Sequence, residues 1–327
     1  MAIRVTVSFQ QSGPISEVVC IAQLAESLGF DGLWLNDAQS HWRDVYVSLG
    51  AIGAATSRIE LGPGVTNVST RHLSVTASAI YSLDELTGGR ARMGIGSGAA
   101  AVTDIGNQPA SRAELSRAVA TLRELWAGRE AVFDGARFQF EYAVSSPRSI
   151  PVYLSSSAPR MSRLAGEIAD GMLCNVGVET RAIEAALINM QEGARAAGRN
   201  PNDRRVAARI PACISDDPEA KRYVRARVGV SSMRRAASDF DEADRRTVEK
   251  IRQAYDPREH LRLDAAYAAQ VTDSLIEKFA LAGRPEECLE RLRAIAKTGV
   301  DELNLAFMHP DTETLLRIFA ERIMSRI

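Results

Sequence analysis

Gly32-Leu-Trp-Leu-Asn36 is a short β-rich run, Val45 to Ala55 behind it carries apolar residues at helical spacing, Ile59 to Thr66 is β-rich again and Ser74 to Leu86 is helical again. Two such units in direct succession are the mark of parallel strands joined by crossover helices, and the same alternation extends in both directions. Upstream, Ile3 to Phe9 precedes a helical stretch from Ser16 to Leu28 that ends at Gly29, a favoured helix C-cap. Downstream, Ala91 to Gly96 precedes a helix from about Ser111 to Trp126, with Ser111 and Glu114 at capping-box spacing. Ala131 to Phe140 breaks the rhythm: Asp134-Gly135 between two β-like runs reads as an excursion hairpin. The alternation resumes with Val152 to Ser155 and Pro159 to Ala169, then Met172 to Asn175 and Arg181 to Ala197, then Arg205 to Ile214 and a long helical stretch from Pro218. It ends with Glu302 to Phe307 and Thr312 to Ile323. Eight strands alternating with helices predict an α/β fold, a closed (β/α)8 TIM barrel. An open doubly wound sheet would leave a polar edge strand, and none stands out. The expected organisation is one domain over 1–327, with a helical layer at about 216–282 inserted between the seventh and eighth strands.

Forty Lys and Arg against 41 Asp and Glu leave a net charge of -1. That balance supplies no field to gather nucleic acid or an anionic membrane surface, so the expected partners are a small-molecule substrate and another subunit. Cys20, Cys174, Cys213 and Cys288 stand far apart with no CxxC pair, which points away from a disulfide framework or zinc site and towards a reducing cytoplasm. Ile3 to Phe9 lacks the pattern of a signal peptide, and no apolar run has the length of a membrane span.

In a barrel of this kind, reacting groups lie at the carboxyl ends of the strands. That rule selects Ser8, Gln10, Asn36, Asp37, Thr66, Asn67, Ser97, Gly98, Ser155 to Ser157 and Asn175. These small and amide-bearing groups suit hydrogen bonding to a heterocycle and a phosphate rather than a hydrolytic triad. His41, His72, His260 and His309 are scattered, no GxSxG elbow is present, and no spacing suggests a catalytic metal.

Gly94-Ile-Gly-Ser-Gly98 with Ala99 satisfies a loose GxGxxA pattern, but Thr103 to Gln108 and Pro109 separate it from the next convincing helix. It reads either as a glycine loop that admits a flat ligand or its phosphate, or as a tight turn. Ser155-Ser-Ser-Ala-Pro159 opens a helix, and its hydroxyls and free amides make either an anion site or an ordinary cap. Asp37 is the carboxylate at the very end of an apolar strand, positioned to fix or protonate a carbonyl or to cap the next turn.

Leu61-Gly-Pro-Gly-Val-Thr-Asn67, Thr76-Ala-Ser-Ala-Ile80, Leu83-Asp-Glu-Leu86, Gly89-Arg90 and Gly94-Ile-Gly-Ser-Gly98 together resemble the luciferase-like flavin and deazaflavin oxidoreductases. Within that superfamily the chain is most similar to the F420-dependent methylenetetrahydromethanopterin reductases. The likeness covers most of the chain apart from residues 216–270. It implies a barrel that holds F420, or alternatively FMN, with the ring near the third strand and the phosphate near the fifth. It implies a non-proline cis peptide between Gly64 and Val65, and a homodimer. The cofactor site it implies is Asp37, Gly64, Val65, Thr66, Asn67, Ser97, Gly98, Ser156, Ser157, Ala158, Asn175 and Val176, with Asp37 and Asn67 as catalytic residues.

Departures from the family pattern bear on the reaction. The residue after Asp37 is Ala38 where a histidine is frequent, Ser8 stands where the methanopterin reductases place an acid, and Ala99 replaces the acid after their glycine loop. His41 reads either as a substitute imidazole or as a surface loop histidine. Methanopterin is therefore not carried over as substrate. The expected activity is hydride transfer between F420 and a small organic substrate, with an FMN-dependent monooxygenase as the alternative and a barrel that binds cofactor without catalysis as a third reading. The arginine-rich insertion reads either as a solvated surface or as a lid over an anionic tail, with Arg234 and Arg235 holding the polyglutamate of F420.

Overall fold

Along each barrel strand, alternate side chains face opposite ways, and in this chain the two sets differ in chemistry. In β1 (Arg4–Ser8), Val5 and Val7 face the helices while Thr6 and Ser8 bond to polar groups inside the barrel. In β11 (Glu302–Phe307), Leu303, Leu305 and Phe307 join the outer apolar core, while Glu302 and Asn304 meet Thr6 and Ser8. The computed structural model describes residues 3–98 and 100–327, so Ala99 lies outside the described residues.

The remaining barrel strands are β2 (Gly32–Leu35), β3 (Glu60–Pro63), β4 (Met93–Ile95), β7 (Val152–Ser156), β8 (Gly171–Cys174) and β9 (Arg205–Ile214). All pair in parallel in the order β3-β2-β1-β11-β9-β8-β7-β4, and the first strand joins the last in register from Arg4 opposite Glu302 to Ser8 opposite Ala306. The ring closes between β3 and β4 through two isolated bridges, Leu61 with Ala91 and Thr66 with Ile95. Between those bridges the chain bulges, so the run read as continuous from Ile59 to Thr66 stops as a strand at Pro63 and rejoins at Thr66. Gly94 makes this seam possible: a Cβ there would lie 2.2 Å from the Pro63 carbonyl oxygen.

A second, smaller apolar cluster fills the barrel: Trp34, Tyr153, Leu173 and Ala207, with Val65 against it. Two residues further along the same strands, on the same inward side, come Asn36, Ser155, Asn175 and Arg209. The rim is thus a polar layer standing one step above an apolar plug.

The excursion at Ala131 to Phe140 forms as β5 (Ala131–Phe133) and β6 (Ala136–Phe138), antiparallel, with Asp134 and Gly135 both at positive φ. Ser111 and Glu114 close their capping box on helix Arg112–Trp126. Between β9 and β11, the insertion contains helices Ala220–Arg234, Glu242–Ala254 and Asp273–Phe279, then β10 (Leu281–Gly283), which pairs with the upper end of β9. The crossover to β11 is helix Pro285–Ala296, distinct from the inserted helices. Helix Glu141–Ser145 follows the hairpin and breaks no barrel pairing.

Candidate active site

A cleft of about 600 Å³ opens at the carboxyl ends of the strands, roofed by helix Ala220–Arg234 and the segment around Tyr255 to Leu261. Of the sequence-selected cofactor residues, Asp37, Gly64, Val65, Asn67, Ser97, Gly98, Ser157 and Asn175 line it. Thr66, Ser156, Ala158 and Val176 do not, each for a local reason. Thr66 is buried behind Asp37, donating to Oδ2 at 2.6 Å. The Ser156 hydroxyl is spent on the Ala158 carbonyl at 3.1 Å and on Ser162 Oγ at 2.9 Å. Ala158 is the N-cap of helix Pro159–Ile168, and Val176 packs on the outer core.

Asp37 follows β2 and is held from one side. Oδ2 accepts from Thr66 and, at 2.8 Å, from Arg71 Nη1, whose other nitrogen reaches Asp44 at 2.8 Å. Tyr46 donates to the Thr66 hydroxyl at 3.1 Å, and burial first, then the Asp37 charge, pushes its phenol up to about 12. Two donors on one oxygen, one of them cationic, suit a carboxylate that orients a ligand. Asn67 spends Oδ1 on the backbone amides of Ser69 and Thr70, both at 2.9 Å, which leaves its amide nitrogen for the cleft.

The Gly64 to Val65 peptide is cis, and Arg209 Nη1 donates to the Gly64 carbonyl from across the barrel. Gly98 sits at φ 83, where a Cβ would lie 2.2 Å from Val102 Cγ2. A short helix, Ala100–Thr103, follows that loop and ends where the polar run Thr103 to Gln108 begins, a helix the sequence pattern did not show. On the opposite wall, Ser155 Oγ accepts from Asn175 at 3.0 Å, while Ser157 faces the cleft ahead of a ten-residue helix that has no side-chain cap. Pro159 brings no amide hydrogen and the Met161 amide turns to the Ala158 carbonyl at 3.0 Å, so in the first turn the Arg160 N–H and the Ser157 hydroxyl are the donors suited to an anion.

Sequence reasoning reached the roof as a lid and named Arg234, but it did not single out Arg209, Arg227 or His260. Arg209 is 5% exposed, donates to Gly64 and, at 2.9 Å, to Asn36 Oδ1, and leaves Nε without a partner. Arg227 and Arg234 stand seven residues apart on one face of their helix, with Val230 between them, and line the same cleft. Among the described residues, no carboxylate lies within ion-pair distance of any of the three. Burial and the neighbouring guanidinium of Arg234 pull Arg209 down to about 10, and burial with both other arginines pulls Arg227 well below its ordinary value. Arg234 is surrounded by protein yet exposed, because the surface it shows belongs to the cleft. Its neighbour Arg235 turns away: it pairs with Glu179 at 2.6 Å and lies over Phe240 and Phe279, which corrects the expectation that both arginines hold a ligand tail. A charge inside the apolar run Val206-Ala-Ala-Arg-Ile210 was the available signal for Arg209.

His260 also lines the cleft, its Nδ1 2.8 Å from the Tyr255 hydroxyl. Burial, then Arg234, Arg227 and His41, lower it to about 3, so the imidazole is neutral. His41 is no open-surface histidine. It packs behind His260 with ring centroids 5.4 Å apart and Nε2 3.1 Å from Asp104, and it is not among the cleft-lining residues. Ser8 bonds Asn304 at 3.1 Å, and Gln10 reaches the Leu261 carbonyl at 3.4 Å.

Comparison with known proteins matches residues 1–302 to the family described as luciferase-like monooxygenase. The chain is 32% identical over 327 residues to the 5,10-methylenetetrahydromethanopterin reductase of Methanolobus tindarius, covering 97% of this chain and 98% of that protein. It is 27% identical over 337 residues to the F420-dependent glucose-6-phosphate dehydrogenase of Microbacterium testaceum, covering 98% and 95%. The structure of the F420-dependent tetrahydromethanopterin reductase of Methanopyrus kandleri superposes with a TM-score of 0.84 at 24% identity over 99% of both chains, a likeness of fold.

Proposed function

The chain belongs to the luciferase-like family, and from that premise we propose that it is an oxidoreductase that transfers hydride between coenzyme F420 and a small organic substrate. The observation that carries this reading is the two-walled cleft: Val65 and the Gly64 bulge on one side, Ser157 and an uncapped helix start on the other. The donor set fits the group. A flat ring finds an apolar backing at Val65 and amide or hydroxyl partners at Asn67 and Ser97, and a phosphate finds the Ser157 hydroxyl and the Arg160 amide at a helix start. Relatives named for F420 favour the deazaflavin over FMN.

Bound F420 would supply the carbon that gives or takes hydride. The protein's part is placement and exclusion of water. Asp37, fixed by Arg71 and Thr66, orients the polar edge of a ring, and Asn67 offers its amide nitrogen beside it. Trp42, Val230 and Met233 bring apolar surface to the cleft lining. His260, neutral and held at Nδ1 by Tyr255, can accept a hydrogen bond from a substrate hydroxyl at Nε2 in the tautomer whose Nδ1–H donates to Tyr255, and Ala38 leaves the position after Asp37 without an imidazole. We place the protein in the cytoplasm as a homodimer, a setting in keeping with four free cysteines.

Purification from a host that makes both F420 and FMN, followed by the absorption spectrum of the bound species, tests the reading. Bound F420 supports it; bound FMN with oxygen-consuming turnover overturns it in favour of a monooxygenase.

A further inference from the structure

The three roof arginines have a chemistry that the cofactor reading does not use. Lone buried cations are costly, and folded proteins pair them with acids unless a ligand supplies the counter-charge. Here Arg209 is paired only with neutral oxygens, those of Gly64 and Asn36, and neither Arg227 nor Arg234 donates to any group among the described residues. Nε of both Arg209 and Arg227 is buried without a partner. The positions of Arg227 and Arg234 on one helix face, separated by about 10 Å of rise, bracket Val230. Asn36 and Leu261 line the same cleft. Arg209 stands on β9, two strands from the β7 end that carries Ser157, and Arg227 and Arg234 stand on the helix inserted after β9. The cleft thus carries two groups of anion-binding residues borne by different elements.

We propose that Arg209, Arg227 and Arg234 form a substrate-side anion clamp, so that the substrate is a small molecule bearing a carboxylate or phosphate group. Arg227 and Arg234 grip the anionic end, and Arg209, immobilised by Gly64 and Asn36, sets the depth to which it enters. Val230 and Met233 meet the uncharged part of the molecule, and His260 lies beside the clamp where a hydroxyl of that molecule would arrive. The proposal rests on the F420 reading above and narrows its substrate class.

The test is a calorimetric titration of the full chain, with and without saturating F420, using three probes at fixed ionic strength: inorganic phosphate, succinate and the neutral succinamide. The expected result is saturable one-to-one binding of phosphate or succinate and none of succinamide. Arg227→Gln and Arg234→Gln each weaken that binding at least tenfold, Arg227→Lys restores part of it, and the F420 dissociation constant stays within twofold. Preference for phosphate points to a phosphate ester and preference for succinate to an organic acid; either supports the clamp. Equal binding of succinamide, no saturable binding, or an anion that competes with F420 overturns it, the last by assigning the row to the acidic tail of the cofactor. Failure of F420 to bind, with anion binding intact in the unloaded protein, overturns the F420 reading alone. Thermal unfolding of each variant separates lost affinity from lost structure.

Discussion

The barrel carries buried arginines at both ends, and their surroundings differ in kind. At the amino end, Arg92 is 3% exposed, contacts Glu302 at 2.7 Å and Glu60 at 3.2 Å, and lies 4.1 Å over the Trp34 ring. Burial alone would raise the Glu302 carboxyl, but Arg92, the Thr6 hydroxyl at 2.5 Å and the Trp34 indole at 2.8 Å outweigh it and keep Glu302 below the ordinary range. At the carboxyl end, buried Arg209, half-buried Arg227 and Arg234, which is exposed to the cleft, have no carboxylate within ion-pair distance among the described residues. The difference teaches that a paired interior charge is part of the fold, whereas an unpaired one facing a cleft marks a place kept for a ligand.

The largest effect expected from this contrast is at the paired end. Arg92→Met strands Glu302 without its cation and should cost about 3–5 kcal/mol of unfolding free energy in denaturant titration, and adding Glu302→Leu should recover much of the loss. A single variant as stable as the parent would break the comparison. Second in size is the acid response of the roof. In the unfolded chain His260 takes a proton near pH 6.5, but in the fold only near 3, so its contribution is intact above about 6.5 and is lost as pH falls towards 3. Unfolding followed at pH 6.5 and 5 should show roughly 2 kcal/mol less acid destabilisation in His260→Gln than in the parent. An identical pH response in both would place the proton elsewhere.

At the unpaired end the sign reverses. Arg227→Met should raise stability by about 0.5–2 kcal/mol while abolishing anion binding, the trade expected where a site holds a charge for a ligand. Loss of stability there would make Arg227 structural. The smallest effect belongs to Arg235: Arg235→Gln should cost about 1 kcal/mol or less and leave F420 affinity unchanged, because its partners are Glu179 and two phenyl rings rather than the cleft. A tenfold loss of F420 affinity would return Arg235 to the site.

What the sequence made legible follows from how local each signal is. Val45–Ala55, Arg205–Ile214 and Glu302–Phe307 coincide with their expected bounds because periodicity and flanking breakers define them within a few residues. Asp37, Asn67 and Asn175, which line the cleft, were named because the strand-end rule and the family likeness both point to them, and Val65 through the likeness alone. Arg209, Arg227 and His260 were not, since their meaning depends on what is absent around them in space: three elements, β9, the helix Ala220–Arg234 and the loop before Leu261, converge without bringing a carboxylate. Charge composition cannot show that, because Arg234 and Arg235 look alike in the chain and only packing sends one to the cleft and the other to Glu179.

A crystal structure of the full chain with F420 tests the account most directly. The account predicts the ring against Val65, the phosphate within hydrogen-bond distance of Ser157 and the Arg160 amide at the start of helix Pro159–Ile168, and both Arg227 and Arg234 untouched by the cofactor. A phosphate or acidic tail seated on Arg227, with Ser157 left in solvent, would contradict it.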